Sequence, residues 1–112
     1  MSADPECLFC RIVSGTVPAS IIAQTEHSVA FRDINPQAPV HLLVIPRRHI
    51  VTVTELAELA PGEAADLCAL AGRVARAEGV SDGFRLVANS GATAGQVVFH
   101  AHLHVLGGRP MG

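Results

Sequence analysis

Lysine is absent from this chain of 112 residues; its eight basic side chains are all arginine, scattered along the sequence. Against ten Asp and Glu they leave a formal net charge of -2. There is no basic stripe of the kind that tracks a phosphate backbone, so nucleic acid is not an expected partner. Long apolar runs are missing too. None approaches the roughly 18 residues needed to cross a bilayer, so no membrane partner is expected. The N-terminal stretch MSADPEC is acidic and has no hydrophobic run, which argues against a secretory leader and for a cytoplasmic protein. Cysteine is scarce: Cys7 and Cys10 form a CxxC, and Cys68 stands alone. In a reducing compartment so odd a count does not suggest a disulfide framework. Repeats, low-complexity tracts and linkers are also missing. With 49% hydrophobic and 16% charged residues, the chain suits one packed domain over residues 1–112.

What is present reads as alternating short elements. CLFCRIVSG has helical character and stops at Gly15. ASIIAQTEHSVAFRDINP reads as two short strands around the turn TEH, ended by Asn35-Pro36. HLLVIP is a strand closed by Pro46, with His41, Leu43 and Ile45 on one face. Thr54 is placed to cap a short helical turn, ELAEL. Pro61 suits the first position of a longer helix with Glu63 in its first turn and Gly79 as its stop. Leu67, Leu70, Ala71 and Val74 recur at helical spacing, and Cys68 is assigned to the same apolar face. FRLVANS reads as a strand from Phe84 to about Asn89, followed by the glycine-bearing loop SGATAGQ. A last strand runs from near Val97 to Gly107-Gly108. The expected class is α+β: a five-stranded antiparallel sheet with one long and one short helix, joined to a second copy through a sheet edge or face.

The densest chemistry lies in FHAHLHVLGG. His100, His102 and His104 recur with period two, which in a strand sends all three imidazoles to one face. Phe99, Ala101, Leu103 and Val105 then face the core. A helix would scatter the same positions over about 400°. Three readings compete. Histidines without chemistry would need three separate buried partners. One ion shared by all three is strained, because the outer Cα atoms lie roughly 13–14 Å apart in a strand. Two neighbouring imidazoles with an outside ligand would hold an ion more readily. The third reading is nucleophilic catalysis, in which the middle ring attacks while its neighbours bind charge and move protons.

H-x-H-x-H followed by two apolar residues, with Gln96 four positions earlier and Asn89 before a glycine loop, resembles the histidine triad (HIT) superfamily. FRDINPQAPVHLLVIPRRHI and HVLGGRPM are similar to its HINT branch, the purine nucleoside phosphoramidases. The similarity runs from about residue 7 to the C-terminus. It implies that His102 attacks the α-phosphorus of a nucleotide to form a nucleotidyl-imidazole that water hydrolyses. His104 would donate to the phosphate oxygens or the leaving group, and His100 and His41 would orient the nucleophile and relay charge. Asn89, the loop amides including Gly95, and Gln96 would hold the phosphate, with Val97 beside it. Asp33 would bind the ribose hydroxyls, while Phe9, Phe31, Ile34 and Leu43 would line the purine slot. Val97 stands where the branch commonly has a phosphate-contacting serine, and Ala101 is smaller than usual. The chain ends at Gly112, where relatives often continue into a tail near the neighbouring subunit's site, so the leaving-group preference stays open.

Cys7, Cys10, His49 and His100 form a sound tetrahedral zinc set by ligand type. Many bacterial HIT relatives use the equivalent residues for a structural zinc. The expected function is therefore hydrolysis of purine nucleoside 5′-phosphoramidates by a homodimer with structural zinc. Dinucleoside polyphosphate hydrolysis is an alternative, as is a zinc-bound HIT interaction module with weak activity.

Overall fold

A computed structural model describes residues 4–112; residues 1–3, part of the N-terminal stretch read above, lie outside the described residues. Helix α1 spans Leu8–Ser14, strand β1 Ile21–Gln24, β2 Ser28–Arg32 and β3 Val40–Pro46. Helices α2, Val53–Leu59, and α3, Pro61–Ala77, come next. Strand β4, Phe84–Val87, a 3-10 turn at Ala92–Ala94 and strand β5, Leu103–Gly107, complete the order. The five strands form one sheet in the order β1-β2-β3-β5-β4, and every pairing is antiparallel. The α+β class with its antiparallel sheet is thus found, but two seven-residue helices accompany the long one rather than a single short helix.

Alternation along the strands builds two cores. Leu42 and Val44 of β3 and Leu103 and Val105 of β5 meet Leu67, Leu70, Ala71 and Val74 of α3. Those helix positions recur at i, i+3, i+4 and i+7, so they share one face. Each fully buried leucine there contributes roughly 1.5–3 kcal/mol. On the opposite sheet face Phe9 and Ile12 of α1 pack on Val29, Phe31, Leu43 and Ile45. The catalytic candidates of β3 and β5 lie on this second face, because His41 and His104 alternate with residues of the α3 core.

Four local expectations need correction. Thr52, not Thr54, caps α2: its hydroxyl accepts from the Glu55 N–H, and the backbone turns helical only at Val53. Cys68 is exposed, because it sits about 100° around α3 from Leu67 and misses the apolar stripe. Strand β4 ends at Val87 rather than Asn89. Strand β5 begins at Leu103 rather than near Val97, and Phe99 is half exposed instead of facing the core. The reason lies on the neighbouring strand. The β3–β5 ladder closes at Val44↔Leu103, and two residues on along β3 stands Pro46, which has no N–H to offer. Residue 101 bonds to a loop instead, with the Ala101 N–H donating to the Ile50 carbonyl at 2.7 Å. Gly107 is fixed by packing: a Cβ built there would lie 2.9 Å from that of Val80.

Candidate active site and metal centre

The triad is therefore split between a strand residue, His104, and two residues that precede the strand. Their rings still form a row. His102 and His104 have centroids 5.0 Å apart, and Phe9 of α1 stands edge-on to both His100, at 5.8 Å, and His102, at 5.1 Å. His41 joins through the register: it pairs with Leu106 while His104 pairs with Leu43, which makes the two imidazoles diagonal neighbours.

Backbone groups decide which nitrogen each ring presents. The Gln37 N–H donates to His41 Nδ1 at 2.9 Å, so the neutral His41 ring carries its proton on Nε2. That proton faces His104 Nδ1 at 2.9 Å and Asp33 Oδ2 at 3.4 Å. His104 then accepts at Nδ1 and carries its own proton on Nε2. His102 has the reverse tautomer: its Nδ1–H donates to the His100 carbonyl at 2.7 Å, which leaves the lone pair on Nε2. A ring nitrogen with a lone pair and a ring nitrogen with a proton thus stand on neighbouring side chains. Burial, reinforced by the charges of His102 and His41, pushes His104 down from 6.5 to about 4, so it is a neutral donor at pH 7.

His100 faces elsewhere. Its Nε2–H donates to the Pro46 carbonyl at 2.8 Å, and its Nδ1 points into a cluster with Cys7, Cys10 and His49. There Nδ1 lies 3.4 Å from Cys7 Sγ, 3.6 Å from Cys10 Sγ and 3.3 Å from His49 Nδ1. Cys10 Sγ lies 3.3 Å from His49 Nδ1. A tetrahedral ion with bonds of about 2.0–2.3 Å needs ligand separations of roughly 3.3–3.8 Å, so the donor set fits zinc in both chemistry and spacing. Burial raises the Cys10 thiol and drops His100 to about 4, an environment that disfavours charge until a cation compensates it. Cys7 caps α1 and its sulfur accepts the Cys10 N–H at 3.4 Å, support that a thiolate needs. A cavity of about 420 Å³ lined by Cys7, His49, Val97 and Phe99 opens onto the cluster.

Asp33, His41 and His104 also converge within ligand distance of one another. This trio does not fit an ion, because the Gln37 N–H fixes a proton on the His41 nitrogen that would have to ligate. Asp33 Oδ1 accepts the Asn35 N–H at 2.8 Å while Oδ2 faces His41, so the carboxylate is tied to the His41–His104 pair.

Phe9, Phe31 and Leu43 are buried together beside the rings, whereas Ile34 is 99% exposed. Asn89 is half-buried before the glycine loop, and Val97 is exposed. Gly95 has φ +96, a conformation that suits glycine and ends the 3-10 turn. The loop is bonded inward. The N–H groups of Ala94 and Gln96 donate to the Gly91 carbonyl, and that of Gly95 donates to the Ala92 carbonyl. Gln96 is buried, and its carboxamide accepts from Gly91 N–H and donates to the carbonyls of Val51 and Val98. It clamps three segments around the site, a role that its sequence position did not disclose.

An antiparallel sheet with this row of oppositely tautomeric imidazoles defines a histidine-triad protein. The family model described as HIT domain matches residues 14–111, and the chain belongs to the HIT family. It is 40% identical to the purine nucleoside phosphoramidase of Escherichia coli K12 over 108 residues, covering 96% of this chain and 91% of that one. Among solved structures, a HIT family hydrolase from Clostridium thermocellum superposes with a TM-score of 0.92 at 43% identity, covering 97% of this chain and 96% of that one. A histidine triad protein from Clostridium difficile gives 0.91 at 30% identity, with 100% and 97% covered.

Proposed function

We propose that this HIT-family hydrolase cleaves the P–N bond of purine nucleoside 5′-phosphoramidates through a covalent nucleotidyl-His102 intermediate. The observation that carries the reading is the pair of opposite tautomers on adjacent rings. His102 Nε2 offers a lone pair because Nδ1–H is held by the His100 carbonyl, and His104 Nε2 offers a proton because Nδ1 accepts from His41. Similarity to the Escherichia coli phosphoramidase supports the substrate class.

In the first step His102 Nε2 bonds to the α-phosphorus as the P–N bond breaks. The leaving amine, or a phosphoryl oxygen, takes up the His104 Nε2 proton. The His41 Nε2–H keeps its hydrogen bond to His104 Nδ1 and so steadies the ring that has given up a proton, while Asp33 Oδ2 helps to orient His41. In the second step water displaces the imidazole and returns a proton to His104 Nε2, releasing the nucleoside monophosphate. Catalysis then rests on positioning and on neutralising phosphoryl charge. Phe9, Phe31, Leu43 and Ile34 would meet the base, Asp33 the ribose, and Asn89, Gly95, Gln96 and Val97 the phosphate region. In this reading Gln96 acts chiefly by shaping the loop. Cys7, Cys10, His49 and His100 would hold a structural zinc, which supplies cross-linking of α1 to the segment before β5. One HIT domain over residues 1–112 would pair with a second copy, for which the outer strand β4, with Leu86 44% exposed, is a suitable edge. No helix among the described residues is long and apolar enough to cross a membrane, consistent with work on a dissolved substrate.

The test is hydrolysis of adenosine 5′-phosphoramidate by wild type and His102→Ala. A loss on the order of a thousandfold or more in kcat, with circular dichroism unchanged, is expected. Turnover near wild type would remove the nucleophile assignment. Dinucleoside polyphosphates assayed in parallel separate the leaving-group alternatives.

A further inference from the structure

We propose that the Cys7–Cys10–His49–His100 cluster, when it holds its ion, is a positioning device that selects the reactive tautomer of His102. The inference rests on the function proposed above, in which His102 Nε2 is the attacking atom.

Residue 100 touches the nucleophile through its main chain and the cluster through its side chain. Its carbonyl accepts the His102 Nδ1–H at 2.7 Å. Its ring is enclosed by the two sulfurs and His49 on one side and by the Pro46 carbonyl on the other. The sheet does not hold this residue, because β5 pairing starts only at Leu103. The carbonyl shares its peptide plane with the Ala101 N–H, which donates to the Ile50 carbonyl at 2.7 Å, and Ile50 follows His49 of the cluster. Anchorage of the His49 and His100 side chains therefore sets where the carbonyl points. A second route runs through Phe9, which lies between the two cysteines in sequence. Its ring meets His100 at 73° and His102 at 90°, so fixing the start of α1 also fixes the tilt of the nucleophile.

Ligation makes the arrangement favourable. Two imidazole Nδ1 atoms 3.3 Å apart, beside two sulfurs, repel unless a cation or protons sit between them. Removal of the ion lets that cage relax and the residue 100 carbonyl turn. His102 Nδ1 then loses its acceptor, and the ring proton is free to move to Nε2, the tautomer with no lone pair at the attacking position. His100 is thus a positioning residue whose ring never meets the substrate, in contrast to the charge-relay role its place in the triad suggests.

The experiment compares the full chain carrying one equivalent of zinc with the same chain stripped by chelator under reducing conditions. Ring nitrogen shifts of His102 are read by long-range proton–nitrogen correlation, beside kcat and KM for adenosine 5′-phosphoramidate. The loaded chain should show the Nδ1–H tautomer of His102 alone, and the stripped chain a mixture. Stripping should lower kcat on the order of ten- to a hundredfold, with KM moving less than about threefold. Unchanged His102 signals and unchanged kcat, with zinc shown to be gone, overturn the proposal. If the stripped chain unfolds, His49→Ala, which keeps both thiols and His100, takes its place under the same criteria. A loaded chain that turns over no faster than His102→Ala sinks the proposed function instead, and the tautomer readout still decides this inference.

Discussion

Two clusters of similar donors lie on one face of the sheet, and they do opposite things with a proton. Cys7, Cys10, His49 and His100 bring four donor atoms together, and His100 points a bare Nδ1 inward because its Nε2–H is held by the Pro46 carbonyl. Asp33, His41 and His104 are as close, but the Gln37 N–H on His41 Nδ1 puts a proton where an ion would sit. A backbone carbonyl leaves the first an inward lone pair; a backbone N–H leaves the second an inward proton. Residue type alone does not separate the two, whereas the partner of the outward nitrogen does.

The largest effects should come from breaking the cage. Cys10→Ser should abolish stoichiometric zinc and lower Tm on the order of 10–20 °C, read by elemental analysis and calorimetry. The His41–His104 pair should respond in kinetics instead. His41→Ala should cut kcat about ten- to a hundredfold with zinc content unchanged. Removing the deciding N–H sharpens the contrast: Gln37→Pro frees His41 to move its proton to Nδ1. That variant should bind a second metal equivalent in a zinc titration, where wild type stops at one.

Protonation gives a smaller and graded test. The unfolded chain takes a proton on His104 near its ordinary 6.5, while the folded chain resists until about 4. Stability from this group is therefore complete above about pH 6.5 and declines as pH falls through that window. Denaturant titrations of His104→Gln should show a flatter pH dependence between those limits than wild type. Outside both clusters, Gly107→Ala should cost about 1–3 kcal/mol through the clash with Val80, and Cys68→Ala less than about 0.5 kcal/mol.

Much of the scaffold could be read from local pattern. Pro61 opening α3, the stripe of Leu67, Leu70, Ala71 and Val74, and the alternation of His41, Leu43 and Ile45 all concern neighbours in sequence. What escaped such reading depends on distant partners. The late start of β5 follows from a missing N–H at Pro46, more than fifty residues earlier. The tautomers of His41, His100 and His102 depend on Gln37 N–H, the Pro46 carbonyl and the His100 carbonyl, none of which advertises itself by side-chain type. Gln96 stood out by spacing, yet its bonds to Gly91, Val51 and Val98 appear only once three segments meet. Cys68 was misassigned because a one-position offset on α3 moves a side chain off the buried stripe.

The most direct measurement is intact mass after rapid quench of wild type with adenosine 5′-phosphoramidate, followed by peptide mapping. The account predicts one adenylyl group on His102 at early times, absent from His102→Ala. Turnover without any adduct, or the same adduct on the variant, would contradict it.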